Sequence, residues 1–264
     1  MYKDRLQSNH SPKVVHQPPK SHQQEQQKRK DAISTTTSNM PATLPWSSYL
    51  LVDSALPTGA FAHSSGIEAA SQLGLLHSFE DVEQYVLALT QSSMQLLSPF
   101  VHESHALASN VDSALEQWIL LDQELHLLLV ANGPACQASL YQGEALLRVA
   151  RSLLPDNALI KELQQCIAID AGHFCTLFGL IANKLGISSA EEACQVLKYC
   201  VARDVVSAAV RLNLVGPVAS LSILQNACHV DYESLSKDSA AGSSPLLDVI
   251  QPHHDILSMR LFRT

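Results

Sequence analysis

From Pro45 onward, apolar positions recur at three- and four-residue steps, and the alternation that marks strands is almost absent. Val82, Val86, Leu89 and Leu96 keep this spacing. Ahead of them, Ser78-Phe79-Glu80-Asp81 places a hydroxyl three residues before a carboxylate, which predicts a capped helix start. A second strongly apolar helix is predicted over Val111 to Val130, ended by Asn132-Gly133-Pro134. Pro134 suits the first turn of a third, running through Arg151, and Pro155 can open a fourth. His173 to Leu185 reads as a fifth, with Gly186 at the position after its end. Ser189 and Glu192 predict a capping box for a long helix reaching Leu214, which Gly216-Pro217 then breaks before another helix ends near His229. Residues 233–245 are small and polar, as in a loop, and Leu246 to Thr264 is apolar again. No repeat at a fixed period is present. These elements predict an all-α, single-domain bundle of roughly eight to ten helices.

The first 44 residues break the pattern. They are rich in Gln, Ser, Thr, Pro and Lys, and they hold seven basic and three acidic residues. Such a segment cannot bury enough apolar surface to offset its ordering entropy, so 1–44 is expected to be a disordered extension ahead of a helical domain over 45–264. Lys28-Arg29-Lys30 can be read as a nuclear-import or anion-binding patch, but a run of three charges fits a solvated tail better. The net charge of the whole chain is −8, so the part after residue 44 carries −12. A phosphate backbone repels such a body, which excludes nucleic acid as a partner class. No apolar run approaches the roughly 18 residues that span a bilayer, and no apolar signal core opens the chain, so no membrane partner is expected. Charged residues make up only 16% of a chain that is 46% hydrophobic, and part of the uncharged surface is expected to belong to protein partners. The six cysteines (Cys136, Cys166, Cys175, Cys194, Cys200 and Cys228) show no C-x-x-C spacing and sit among apolar neighbours. They read as reduced core residues of a reducing compartment.

The candidate chemistry is sparse. His102 and His105 share one helical face, with Glu103 between them, and a metal there needs a third ligand from elsewhere. His253-His254-Asp255 resembles the doublet of metal phosphohydrolases, but no Asp or Glu follows it. Phosphate-cradling and nucleophile-elbow motifs are absent. The chain is therefore expected to be non-catalytic and to carry no cofactor and no metal. The alternative is a helical metal-dependent enzyme with its site near His102/His105 or His63.

The least ordinary stretch is Asp53-Ser54-Ala55-Leu56-Pro57-Thr58-Gly59-Ala60-Phe61-Ala62-His63-Ser64-Ser65-Gly66-Ile67-Glu68. Pro57-Thr58-Gly59 predicts a tight turn with positive φ at Gly59, and Ser65 and Glu68 predict a capping box for the helix that follows. His63 could cap, hydrogen-bond or bind a metal. On the long helix, Arg203, Ser207 and Arg211 fall on one face of an otherwise apolar element. The two arginines need carboxylate or carbonyl partners, as an internal brace or on a partner protein. At the end of the chain, Met259, Leu261 and Phe262 alternate with Arg260 and Arg263. This basic and apolar tail either docks a partner or folds back onto the bundle.

Residues Leu51 to Ser64 closely resemble the opening motif of the urease accessory protein F (UreF) family. Three further blocks resemble it in the expected order: Asn132-Gly133-Pro134-Ala135-Cys136 through Gln142-Gly143-Glu144-Ala145-Leu146-Leu147-Arg148, then Arg203 through Gly216-Pro217, then Ser244-Pro245-Leu246-Leu247-Asp248 through Arg260-Leu261-Phe262-Arg263-Thr264. The resemblance covers about residues 45–264 and is nearest the eukaryotic branch; Ser65 departs from it, standing where family members usually carry an aromatic. It implies an all-α, non-catalytic, cytosolic assembly factor that helps insert nickel into urease. The implied partners are the accessory D (or H) protein, the G GTPase, the urease apoenzyme and a second copy of the chain. It also implies that the tail, 246–264, is a docking element, with Arg260, Leu261, Phe262 and Arg263 as contact residues. No metal ligand is implied.

Overall fold

A computed structural model describes residues 46–109, 114–166, 171–233 and 236–264. The extension expected over 1–44, its boundary and Val111 lie outside the described residues. These residues fall in one unit, Leu44–Thr264. They form ten α-helices and no strand: α1 Trp46–Val52, α2 Ile67–Gln72, α3 Phe79–Leu107, α4 Ala114–Leu129, α5 Gly133–Leu153, α6 Ala158–Cys166, α7 Phe174–Lys184, α8 Ala190–Arg211, α9 Ser220–Cys228 and α10 Pro245–Ile250. Single 3-10 turns cover Ala60–Ala62 and Lys237–Ser239, and a longer one covers Gln251–Ile256. The all-α expectation is met.

Most helix ends follow local chemistry. Ser78 Oγ accepts from Asp81 N at 3.1 Å, and Asp81 accepts in return from Ser78 N at 3.0 Å and His77 N at 2.9 Å. These bonds hold the Asp81 carboxyl below its usual range. At α5, Asn132 caps the first turn and Pro134 occupies it. Gly186 ends α7 at φ 91°, with bonds from Gly186 N to Asn183 O and from Ile187 N to Ala182 O that satisfy the last carbonyls.

Three ends differ from expectation. Helix α6 opens at Ala158 rather than at Pro155, because Asn157 Oδ1 takes the Ile160 N–H at 3.2 Å. Ser189 caps α8, but Glu192 turns to Ser188 Oγ at 3.1 Å, so only half of the capping box forms. Helix α8 stops at Arg211 because Asn213 enters the left-handed region at φ 58° and closes the same pair of end bonds onto Val210 O and Ala209 O. Gly216 and Pro217 come later, in the turn into α9.

Two apolar cores result. The first gathers Phe100, Trp118, Leu125, Leu163, Phe178 and Leu197, where α3 to α8 meet. The second gathers Ile67, Val86, Val205, Ile223 and Leu247, and it also includes Phe262 from the tail. Helices α3 and α8 run through both cores and join them.

Candidate functional site

The segment between α1 and α2 is built from turns. Asp53 Oδ1 accepts from Ala55 N at 2.8 Å, and Leu56 N returns to Asp53 O at 3.0 Å. Gly59 sits at φ 74°, as its turn requires, and leads into the 3-10 turn. Ser65 and Gly66 are also left-handed, at φ 51° and 82°. A side chain at Gly66 would meet Gln251 Cγ at 2.7 Å and the Tyr85 hydroxyl at 2.8 Å. Both neighbours donate to Ser65 O, Tyr85 at 2.9 Å and Gln251 at 3.4 Å. The capping box expected at Ser65 and Glu68 does not form, because Gly66 occupies the cap position of α2 and no side chain caps it.

Glu68 turns inward instead and holds the tail. The residue is 2% exposed, and its carboxylate is enclosed by donors. It accepts from Leu261 N at 2.6 Å, from Phe262 N at 3.2 Å and from His254 Nε2 at 3.2 Å. Two backbone bonds extend this latch, from Arg263 N to Ala62 O and from Ser64 N to Thr264 O, both 2.7 Å. His63 faces Thr264 Oγ1 through Nδ1 at 2.5 Å. Burial, then the Arg263 charge, then His254 lower the His63 pKa to about 4, so the ring is neutral at physiological pH.

The two arginines of α8 are internal braces that grip both ends of the 53–61 segment. Arg203 Nη1 donates to Val52 O at 2.5 Å and pairs with Asp204 at 2.8 Å. Arg211 donates to Phe61 O and lies 4.3 Å from the centre of the Phe262 ring. Arg263 lies 3.6 Å over Tyr141. The tail thus folds back on the bundle. Phe262, expected among the contact residues, is 4% exposed and belongs to the core. Met259, Arg260 and Leu261 face outward, with Met259 at 77% and Leu261 at 55% exposure. Beside the latch opens a cavity of about 220 Å³ lined by His63, Thr264, Gln251, Gln142, Ser139 and Leu197.

Ser139 of that lining contacts a cluster the sequence reading missed. Asp122 of α4, buried like Glu68, accepts from Gly172 N at 2.7 Å, His173 N at 2.9 Å and Thr176 Oγ1 at 2.5 Å, and so caps α7 from a different helix. His173 Nε2 meets His126 Nδ1 at 3.1 Å, and His126 Nδ1 lies 3.9 Å from Cys136 Sγ. Burial and the neighbouring His126 lower the His173 pKa, against the opposing pull of Asp122. His126, Cys136 and His173 come from α4, α5 and the start of α7, at separations that match no ligand motif, so only folding brings them together.

The histidines singled out from sequence do not converge. His102 Nε2 lies 3.7 Å from Glu191, whereas His105 is buried and bonds Ile187 O at 2.9 Å. Among the described residues, the His126, Cys136 and His173 atoms are the one trio of possible metal ligands within reach of each other. Cys136, Cys175, Cys194 and Cys200 are buried and Cys228 partly so, none in a disulfide, while the Cys166 side chain lies outside the description. Burial pushes the Cys194 and Cys200 thiols up to about 12.

No helix among the described residues is long and apolar enough to cross a membrane. The family model described as UreF matches residues 76–228. Urease accessory protein F of Oryza sativa is 36% identical over 87% of this chain and 89% of its own length. Its counterpart in Arabidopsis thaliana is 36% identical over 90% of this chain and 99% of its own length. Urease accessory protein UreF of Paenarthrobacter aurescens is 31% identical over 84% and 99%. The higher identity to the two plant proteins agrees with the eukaryotic branch, and the chain belongs to the UreF family.

Proposed function

We propose that this protein is a cytoplasmic urease accessory factor. It acts without catalysing a reaction, as an assembly chaperone for nickel insertion into urease. It works as a homodimer that bridges the D/H accessory protein and the G GTPase on the urease apoenzyme. The observation that carries the reading is the match to proteins named urease accessory protein F over nearly their whole length. The outward side chains of Met259, Arg260 and Leu261 on the latched tail support a docking role there, with Phe262 as the anchor beneath them. Exposed apolar and arginine side chains of this kind make strong interface anchors.

The test is co-expression of this chain with the D/H protein, the G GTPase and urease apoenzyme in the presence of nickel. The expected result is co-elution of the complex and urease activity that depends on this chain. Activation that proceeds equally well without it would overturn the reading. Met259→Ser with Leu261→Ser leaves the latch intact and is expected to reduce co-elution at least tenfold.

A further inference from the structure

We propose that His126, Cys136 and His173 form a binding site for one late first-row divalent metal ion, of which zinc is the reference case. The ligand atoms are His126 Nδ1, Cys136 Sγ and His173 Nε2, all within 4.8 Å of one another. A tetrahedral ion with ordinary bond lengths sets its nitrogen ligands roughly 3.3 Å apart and a nitrogen–sulfur pair roughly 3.6 Å apart. Two of the three observed separations, 3.1 Å and 3.9 Å, differ from these by a few tenths of an ångström, and Cys136 Sγ lies within 4.8 Å of His173 Nε2. Two imidazoles and a thiolate suit zinc and its neighbours far better than magnesium or calcium, which prefer oxygen.

The surroundings hold the ligands as a metal site requires. Ser139 Oγ accepts from Phe174 N at 3.2 Å and faces His173 Nδ1 at 3.0 Å. With Nδ1 donating to Ser139, the His173 lone pair sits on Nε2, facing the other two ligands. The His173 backbone is fixed by Asp122 and by the close approach of Gly143, where a side chain would stand 1.8 Å from Gly172 O. His126 is partly exposed and gives the ion its route in, leaving a fourth position for water. Without metal, His126 Nδ1–H donates to His173 Nε2. On binding, the His126 proton moves to its Nε2, the Cys136 thiol releases its proton to solvent, and the ion takes all three lone pairs, so one proton is liberated per ion.

The experiment titrates the purified, metal-free full chain with cobalt(II), then displaces it with zinc(II). A single equivalent is expected to give the visible ligand-field bands of tetrahedral cobalt and a thiolate-to-cobalt charge-transfer band in the near ultraviolet, with one proton released. Cys136→Ser is expected to abolish the charge-transfer band. His126→Gln, at a partly exposed position, is expected to weaken zinc binding at least tenfold while circular dichroism stays unchanged. Ser139→Ala, which only loosens the orientation of His173, is expected to cost about tenfold in affinity. His102→Gln serves as a control and is expected to change nothing. Absence of the charge-transfer band in the wild type, or its persistence in Cys136→Ser, overturns the proposal. None of these readouts depends on urease or its other accessory proteins.

Discussion

Glu68 and Asp122 are two versions of the same device. Each residue is 2% exposed, and each carboxylate receives two consecutive backbone N–H groups and one side-chain donor. What they hold differs. The segment clasped by Asp122 begins an interior helix and is pressed from the far side by Gly143 of α5. The segment clasped by Glu68 is a terminal strip with one buried ring, and its other large side chains face outward. A buried hydrogen-bonded carboxylate is therefore neither a permanent brace nor a latch by its own chemistry. The number of elements packed on the far side of the segment decides which it becomes.

Breaking the enclosed side should cost most. Gly143→Ala places a methyl group against the Gly172 carbonyl, and the expected loss is about 3 kcal/mol, at the upper end for overpacking. Urea denaturation measures it, and an unshifted midpoint would mean that α5 and the start of α7 do not approach so closely. Next comes the direct contrast between the two carboxylates. Asp122→Ala orphans interior donors and is expected to lower global stability by about 2–3 kcal/mol. Glu68→Ala is expected to cost about half as much and to show instead as fast amide exchange at Leu261 and Phe262. Equal losses from the two variants would erase the distinction.

Smaller effects sharpen the latch side. At Gly59 a side chain would find no atom within 4 Å, so Gly59→Val carries backbone strain alone, about 1–2 kcal/mol, read from thermal melting. Arg211→Ala removes the bond to Phe61 O and the contact with the Phe262 ring. An expected loss of about 1 kcal/mol should come with increased proteolysis of the tail. The smallest global effect is that of pH. His63 has a folded pKa of about 4 against an ordinary 6.5, so the unfolded chain takes up its proton first as pH falls. Stability contributed by neutral His63 is fully present above about pH 6.5 and is lost towards pH 4. Release of the tail rehydrates His63, so the global cost of acid is capped by the free energy that opens the latch. Tail exchange should therefore accelerate with acid before the bundle melts, and His63→Gln should flatten this dependence.

The helices were legible because their ends use neighbours in sequence: Ser78 with Asp81, Asn132 with Ala135, and Gly186 with its own turn. The Ser65–Glu68 expectation failed for the opposite reason. Its spacing is that of a capping box, but Glu68 is claimed by donors 186 to 194 positions away, and no local rule weighs a partner so distant. Arg203 and Arg211 were legible as charged groups needing acceptors, though not as a pair gripping Val52 and Phe61. His126, Cys136 and His173 carry no spacing signal, since three separate elements supply them.

The latch takes hold of main-chain N–H groups, and every residue except proline supplies the same one at positions 261 and 262. At position 261 the side chain points away from the carboxylate that fastens it. Substitution there changes the exposed surface while the fastening stays as it was. The outward side chain at 261 can therefore vary in sequence at little cost to the fold, so long as Glu68 and the ring at 262 are kept.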